Sequence, residues 1–147
     1  MWVAVWSTMR SMSMESEPQI RRRWMRPTFL RERHGMAWIG LYRPTSGEIG
    51  SVAAELGLPH LVVNDAIAAH QRPKLERYGA ILFTVLRPAR YDDRREQVEF
   101  GELHVVTGDG FVVTIRHAES PDLASVRRRL ESQPDLLRLG MPRQERS

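Results

Sequence analysis

From Ala37 onward the apolar positions recur with the periods of regular elements, and polar breaks separate them. Trp38-Ile39-Gly40-Leu41-Tyr42 reads as a strand, ended by Arg43-Pro44 because proline brings no donor to a ladder. Thr45 with Glu48 three residues on is a capping-box pattern, after which Ile49, Val52, Ala53 and Leu56 fall on one helical face and Gly57 supplies a left-handed stop. Pro59 suits the first turn of a second helix with Leu61, Val62, Ala66 and Ala69 on its inner stripe, ending by Gln71 or Arg72 because the residue before a proline avoids helical geometry.

Ala80 to Leu86 is apolar on both faces, as in an interior strand covered on both sides, and Arg87-Pro88 closes it. Val98 to Val106 and Phe111 to Arg116 read as strands joined through Thr107-Gly108-Asp109-Gly110, whose glycines and aspartate tolerate the positive φ of a hairpin turn. Ser120-Pro121 is an N-cap and first-turn proline for a helix with Leu123, Val126 and Leu130 on its buried stripe. Pro134 interrupts it, and Leu136, Leu137 and Leu139 begin a further apolar segment that stops at Gly140. These elements predict an α/β domain with a mixed sheet layered between helices.

Residues 1–36 carry six of the seven methionines and three of the four tryptophans without a sustained period, so this leader is expected to be mostly disordered, followed by one domain over 37–140 and a tail over 141–147. Charge sharpens the division. The net +4 of the chain is contained in residues 1–37, with seven arginines and three glutamates, while residues 38–147 hold fifteen basic and fifteen acidic residues. The folded part therefore has no net field to steer a polyanion. With no cysteine in 147 residues, disulfides, thiolate metal sites and cysteine nucleophiles are excluded. The longest nearly apolar run, Ala80 to Leu86, is far short of the ~20 residues of a membrane span. The opening Met1 to Trp6 lacks the cationic start and length of a secretory signal, and the expectation is a soluble intracellular product.

The run Leu61-Val62-Val63-Asn64-Asp65-Ala66-Ile67-Ala68-Ala69-His70-Gln71-Arg72-Pro73-Lys74-Leu75-Glu76 joins an amphipathic helix to a strand through a polar corner. It resembles the N-terminal cytoplasmic domain of the CorA-type magnesium and cobalt transporters. Trp38 to Tyr42, Ile81 to Leu86, the turn at Gly108-Asp109-Gly110 and the helix from Pro121 to Leu130 follow in the family's order, so the resemblance covers residues from about 37 to Gly140. It implies a layered α/β fold. It also implies a role for Asp65: in such proteins the matching aspartate faces one on the stalk helix of a neighbouring subunit, and the pair binds a regulatory divalent cation whose loss favours conduction. Asn64 stands where many relatives are acidic and offers an oxygen without the charge.

Neither a stalk helix nor the two membrane helices with their Gly-Met-Asn loop is found in these residues. The expectation is thus a truncated transporter chain comprising the metal-sensing domain, unable to conduct ions alone and assembling only with full-length subunits. Asp65 by itself should hold Mg2+ weakly. The His70-Gln71-Arg72-Pro73-Lys74 corner is read as structural, with Arg72 and Lys74 complementing a helix end. His60 and His70, ten apart, and His104 and His117, thirteen apart, match no familiar zinc spacing and are read, with His34, as ordinary histidines. No acid, base and nucleophile set suggests an enzyme. The alternative from another class is nucleic-acid or acidic-surface binding through Arg21-Arg22-Arg23-Trp24-Met25-Arg26, Arg31 and Arg33, where cations interleave with an aromatic.

Overall fold

Trp38 to Tyr42 lies within β3 (Met36–Tyr42), an interior strand of a seven-stranded sheet in a computed structural model that describes residues 1–7, 10–14, 35–118 and 121–140. Around it are β1 (Trp2–Ser7), β2 (Arg10–Met14), β4 (Lys74–Tyr78), β5 (Ile81–Leu86), β8 (Leu103–Gly108) and β9 (Phe111–Arg116), in the order β2-β1-β3-β9-β8-β5-β4. The β3–β9 pairing is parallel and the others antiparallel, so the expected mixed sheet is present. Between β5 and β8 the chain forms a separate two-stranded ribbon of β6 (Ala89–Asp92) and β7 (Gln97–Phe100). Its Arg90, Arg95, Asp92 and Glu99 side chains pair with one another, so the mixed charge of the ribbon is compensated within it.

Two helices, α1 (Ser46–Leu56) and α2 (His60–Ile67), cover one face of the sheet, where Ile49, Val52, Leu56, Val62 and Ala66 join a core with Ile39, Phe83, Val113 and other inward strand residues. Each large apolar side chain so buried contributes roughly 1.5–3 kcal/mol. The opposite face carries a smaller cluster of Ala4, Trp38, Leu103 and Leu123, the last from α3 (Leu123–Ser132). There the Trp38 indole N–H donates to the Thr114 hydroxyl at 2.9 Å, which satisfies a polar group that burial would otherwise penalise. A short α4 (Pro134–Gly140) follows.

Local signals placed the start of α1 correctly. Thr45 accepts from the Glu48 amide, Glu48 accepts in turn from the Thr45 amide at 2.8 Å, and Gly57 closes the helix with φ of 65°. These bonds hold the Glu48 carboxyl below its ordinary value of 4.5, so their stabilisation is complete above that pH and is lost as pH falls through the lowered value. Comparing thermal midpoints of the wild-type chain and Glu48→Gln should give a constant difference above about pH 5 that shrinks in acid. A difference that grew in acid would contradict this assignment.

Several expectations are corrected. The leader was read as mostly disordered, yet Trp2–Ser7 and Arg10–Met14 are strands and β1 pairs with β3, so the sheet runs across the boundary drawn at residues 36 and 37. The Arg-rich stretch, His34 and the tail 141–147 lie outside the described residues. Val98 to Val106 is not one strand: β7 and β8 belong to different sheets, and between them the Gly101 amide donates to the Pro88 carbonyl at 2.7 Å. On α2, Leu61 is 63% exposed instead of inward, and the helix ends at Ile67. On α3, Val126 is likewise exposed, and the cap is Asp122, which accepts from the Ala124 amide, while Ser120 is outside the described residues.

Candidate metal centre

Sheet pairing decides which polar side chains meet. Glu76 stands opposite Phe83, Lys74 opposite Val85, Val85 opposite His104, and His104 opposite Ile115. Directly paired residues share a face. Lys74, Glu76, Tyr78 and His104 therefore point to the same side as the buried Phe83 and Ile115, the side that α1 and α2 cover. Continuing the β8–β9 register one step beyond Leu103 and Arg116 sets Glu102 against His117, whose amide donates to the Glu102 carbonyl at 3.3 Å. Two polar clusters result on this one face.

The first is centred on Asp65, near the C-terminal end of α2. Its Oδ2 accepts from the Lys74 ammonium at 2.8 Å and from the Tyr78 hydroxyl at 2.8 Å, and neither bond uses Oδ1. Glu76 accepts from the same two donors. Burial alone would raise the Asp65 carboxyl, but the Lys74 and Tyr78 hydrogen bonds and the ammonium charge outweigh it and hold the group below its ordinary value. The same bonds raise Lys74, and the paired carboxylates raise Tyr78. Asp65 is thus an anchored, ionised carboxylate whose side chain keeps 28% of its exposure. Gln71 ends the helix beneath it by donating from its amide to the Asp65 and Ala68 carbonyls. Arg72 and Lys74 were expected to serve the helix end; Gln71 does so instead, and Lys74 is drawn away to Asp65.

The second cluster joins Glu102, His104 and His117. Glu102 and His104 are 5% and 0% exposed, and His104 Nε2 lies 2.7 Å from Glu102 Oε1. The Arg87 guanidinium donates to Glu102 Oε2 at 2.7 Å, and the Gln71 backbone N–H donates to Oε1 at 3.4 Å. Burial pushes the Glu102 carboxyl up, yet the bonds from His104 and from the Gln71 and His70 backbone bring it below its ordinary value. Burial and the neighbouring His104 push His117 down, with Glu102 and the Ala66 backbone opposing. The His104 and His117 rings meet edge to face at 4.9 Å, and one donor atom of each of the three residues lies within 4.8 Å of the other two. Phe83 separates the clusters, edge-on to His104 and beneath the Lys74 ammonium.

His104 and His117, read as ordinary histidines from a spacing of thirteen residues, are diagonal neighbours across a hairpin. Spacing along the chain hid them, whereas the hairpin register would have found them. The structure places Asp65 within a hydrogen-bonded set rather than on a bare helix face. Among the described residues no helix is long and apolar enough to cross a membrane.

Known proteins share this architecture. The soluble domain of CorA from Methanocaldococcus jannaschii aligns over 88% of the chain at 12% identity and a TM-score of 0.58, and the ZntB cytoplasmic domain from Vibrio parahaemolyticus RIMD 2210633 over 89% at 13% and 0.60. The full-length CmaX protein aligns over 90% at 18% identity with a TM-score of 0.68. In sequence, the chain is 32% identical over 103 residues, 70% of its length, to YfjQ of Bacillus subtilis (strain 168), to which metal ion transport is ascribed. The chain spans 31% of the length of YfjQ and between 39% and 50% of those three solved chains. The family model described as CorA-like Mg2+ transporter protein matches residues 33–140. With about three quarters of its residues inside that match, the chain belongs to the CorA-like family of metal ion transporters.

Proposed function

We propose that this chain is the metal-sensing regulatory domain of a CorA-family transporter of divalent cations such as Mg2+ or Co2+, and that it governs conduction without conducting. Asp65 is the sensing carboxylate. The observation that carries this reading is the asymmetry of its bonding, with Oδ2 anchored by Lys74 and Tyr78 and Oδ1 used by neither. An anchored carboxylate at the end of a helix is suited to face a second carboxylate from a neighbouring subunit on the cytoplasmic side of a membrane assembly.

The energetics favour a weak, responsive site. Two carboxylates about 5 Å apart repel by roughly 3 kcal/mol at an effective dielectric near 20, and a hard dication between them reverses the sign. Lys74 opposes the ion, because its ammonium already neutralises Asp65 at 2.8 Å and must yield or share. Mg2+ keeps several waters and takes one or two protein carboxylates, so Asp65 alone does not complete a site. Titration of the chain with Mg2+ by calorimetry should give an affinity no tighter than roughly 1 mM, and the residual heat should vanish in Asp65→Asn. A low-micromolar Mg2+ site, or one that Asp65→Asn leaves intact, rules this reading out.

A further inference from the structure

We infer that Glu102, His104 and His117 form a second metal site, distinct from Asp65, for a borderline d-block dication such as Zn2+, Co2+ or Ni2+. Two imidazoles and one carboxylate are a donor set for such ions, whereas Mg2+ requires oxygen ligands. Two independent observations point to a ligand. The first is convergence: one donor atom of each side chain lies within 4.8 Å of the others, with His104 on β8 and Glu102 and His117 just beyond the paired ends of β8 and β9. The second is the unmatched nitrogen. His117 Nε2 is buried with no hydrogen-bond partner, in a protein interior where nearly every such atom has one.

The surroundings are those of a supported site. Arg87 holds Glu102 Oε2 and the Gln71 backbone N–H approaches Oε1, so the carboxylate is oriented by groups that are not themselves ligands. Ligands on one tetrahedral ion stand about 3.3 Å apart, given metal–ligand lengths near 2 Å. A spread of up to 4.8 Å thus closes by about 1.5 Å through rotation of the carboxylate and imidazoles, the ion replacing the contact between His104 Nε2 and Glu102 Oε1. Three protein ligands leave a fourth position open to water. Because Glu102 also anchors the backbone at Gln71, the site sits at the root of the corner that delivers Lys74 to Asp65.

The test is titration of the full chain with Zn2+ against a chromophoric chelator, together with the visible spectrum of the Co2+ form. We expect one equivalent bound with Kd of about 1 µM or tighter, an intense tetrahedral Co2+ absorption, and no competition from excess Mg2+. His117→Gln should weaken binding by on the order of 100-fold and Glu102→Gln by at least about tenfold. Asp65→Asn should leave Zn2+ binding unchanged, which separates this site from the Mg2+ reading. Absence of binding at about 100 µM Zn2+, wild-type affinity in His117→Gln, or loss of binding in Asp65→Asn would overturn the proposal. Should His104→Gln fail to fold, the His117→Gln titration and the Co2+ spectrum of the wild-type chain decide it.

Discussion

Glu102→Ala should be among the most damaging single substitutions in the chain, costing about 3–5 kcal/mol and lowering the thermal midpoint by about 10 °C or more. The carboxylate is 5% exposed and accepts from three sides, from Arg87, from the Gln71 backbone and from His104. Arg87 is partly exposed and can return to water; His104, at 0% exposure, cannot. Removal therefore strands a fully buried imidazole and frees the corner between α2 and β4 at the same time. Glu102→Gln keeps an oxygen for the Gln71 backbone N–H and should recover a good part of the loss. Urea unfolding followed by circular dichroism measures both variants, and a cost for alanine below about 1 kcal/mol would mean that Glu102 is a surface ion pair in disguise.

Phe83→Ala should cost a comparable 3–5 kcal/mol. The ring is 0% exposed, belongs to the core under α1 and α2, and stands between the two polar clusters. Its edge-on packing with His104 and the Lys74 ammonium over its face hold both clusters in place, so truncation opens a cavity and unseats them together. Phe83→Leu keeps most of the volume and should lose less than half as much. Equilibrium unfolding checks the ranking; if alanine and leucine were equivalent, the ring would not be filling the space described.

Much of the fold was legible because its signals are local. The Thr45–Glu48 box and Gly57 stop bounded α1, and Phe111 to Arg116 was read to the residue as β9. β4, to which the sequence pattern gives no clear bounds, has an inverted pattern: Lys74, Glu76 and Tyr78 face inward while Leu75 is 66% exposed, so hydrophobic alternation points the wrong way. Its polar interior exists because Asp65 is there to meet it. Leu61 and Ala69 were assigned inward by a helical stripe drawn too wide for a helix of eight residues.

The Glu102, His104 and His117 cluster is written in the hairpin register of the sequence and not in its linear spacing. A two-residue Asp109-Gly110 turn aligns Gly108 with Phe111, and counting outward from that pair sets Glu102 against His117 with His104 on the same face. Measuring the interval between histidines along the chain discards that information, because strands bring distant residues together by register.

Sequence alone determined the caps, the turns, the two helices over the sheet and the family to which the corner belongs, since each is written in residues a few positions apart. Tertiary structure decided that β3 lies beside β9, more than 70 residues away, and that β1 extends the sheet, because such pairings are chosen by the whole core rather than by any segment. It also decided the chemistry. Asp65 gained Lys74 and Tyr78, and two histidines gained a glutamate, only when the sheet and α2 closed over a common face and took water away.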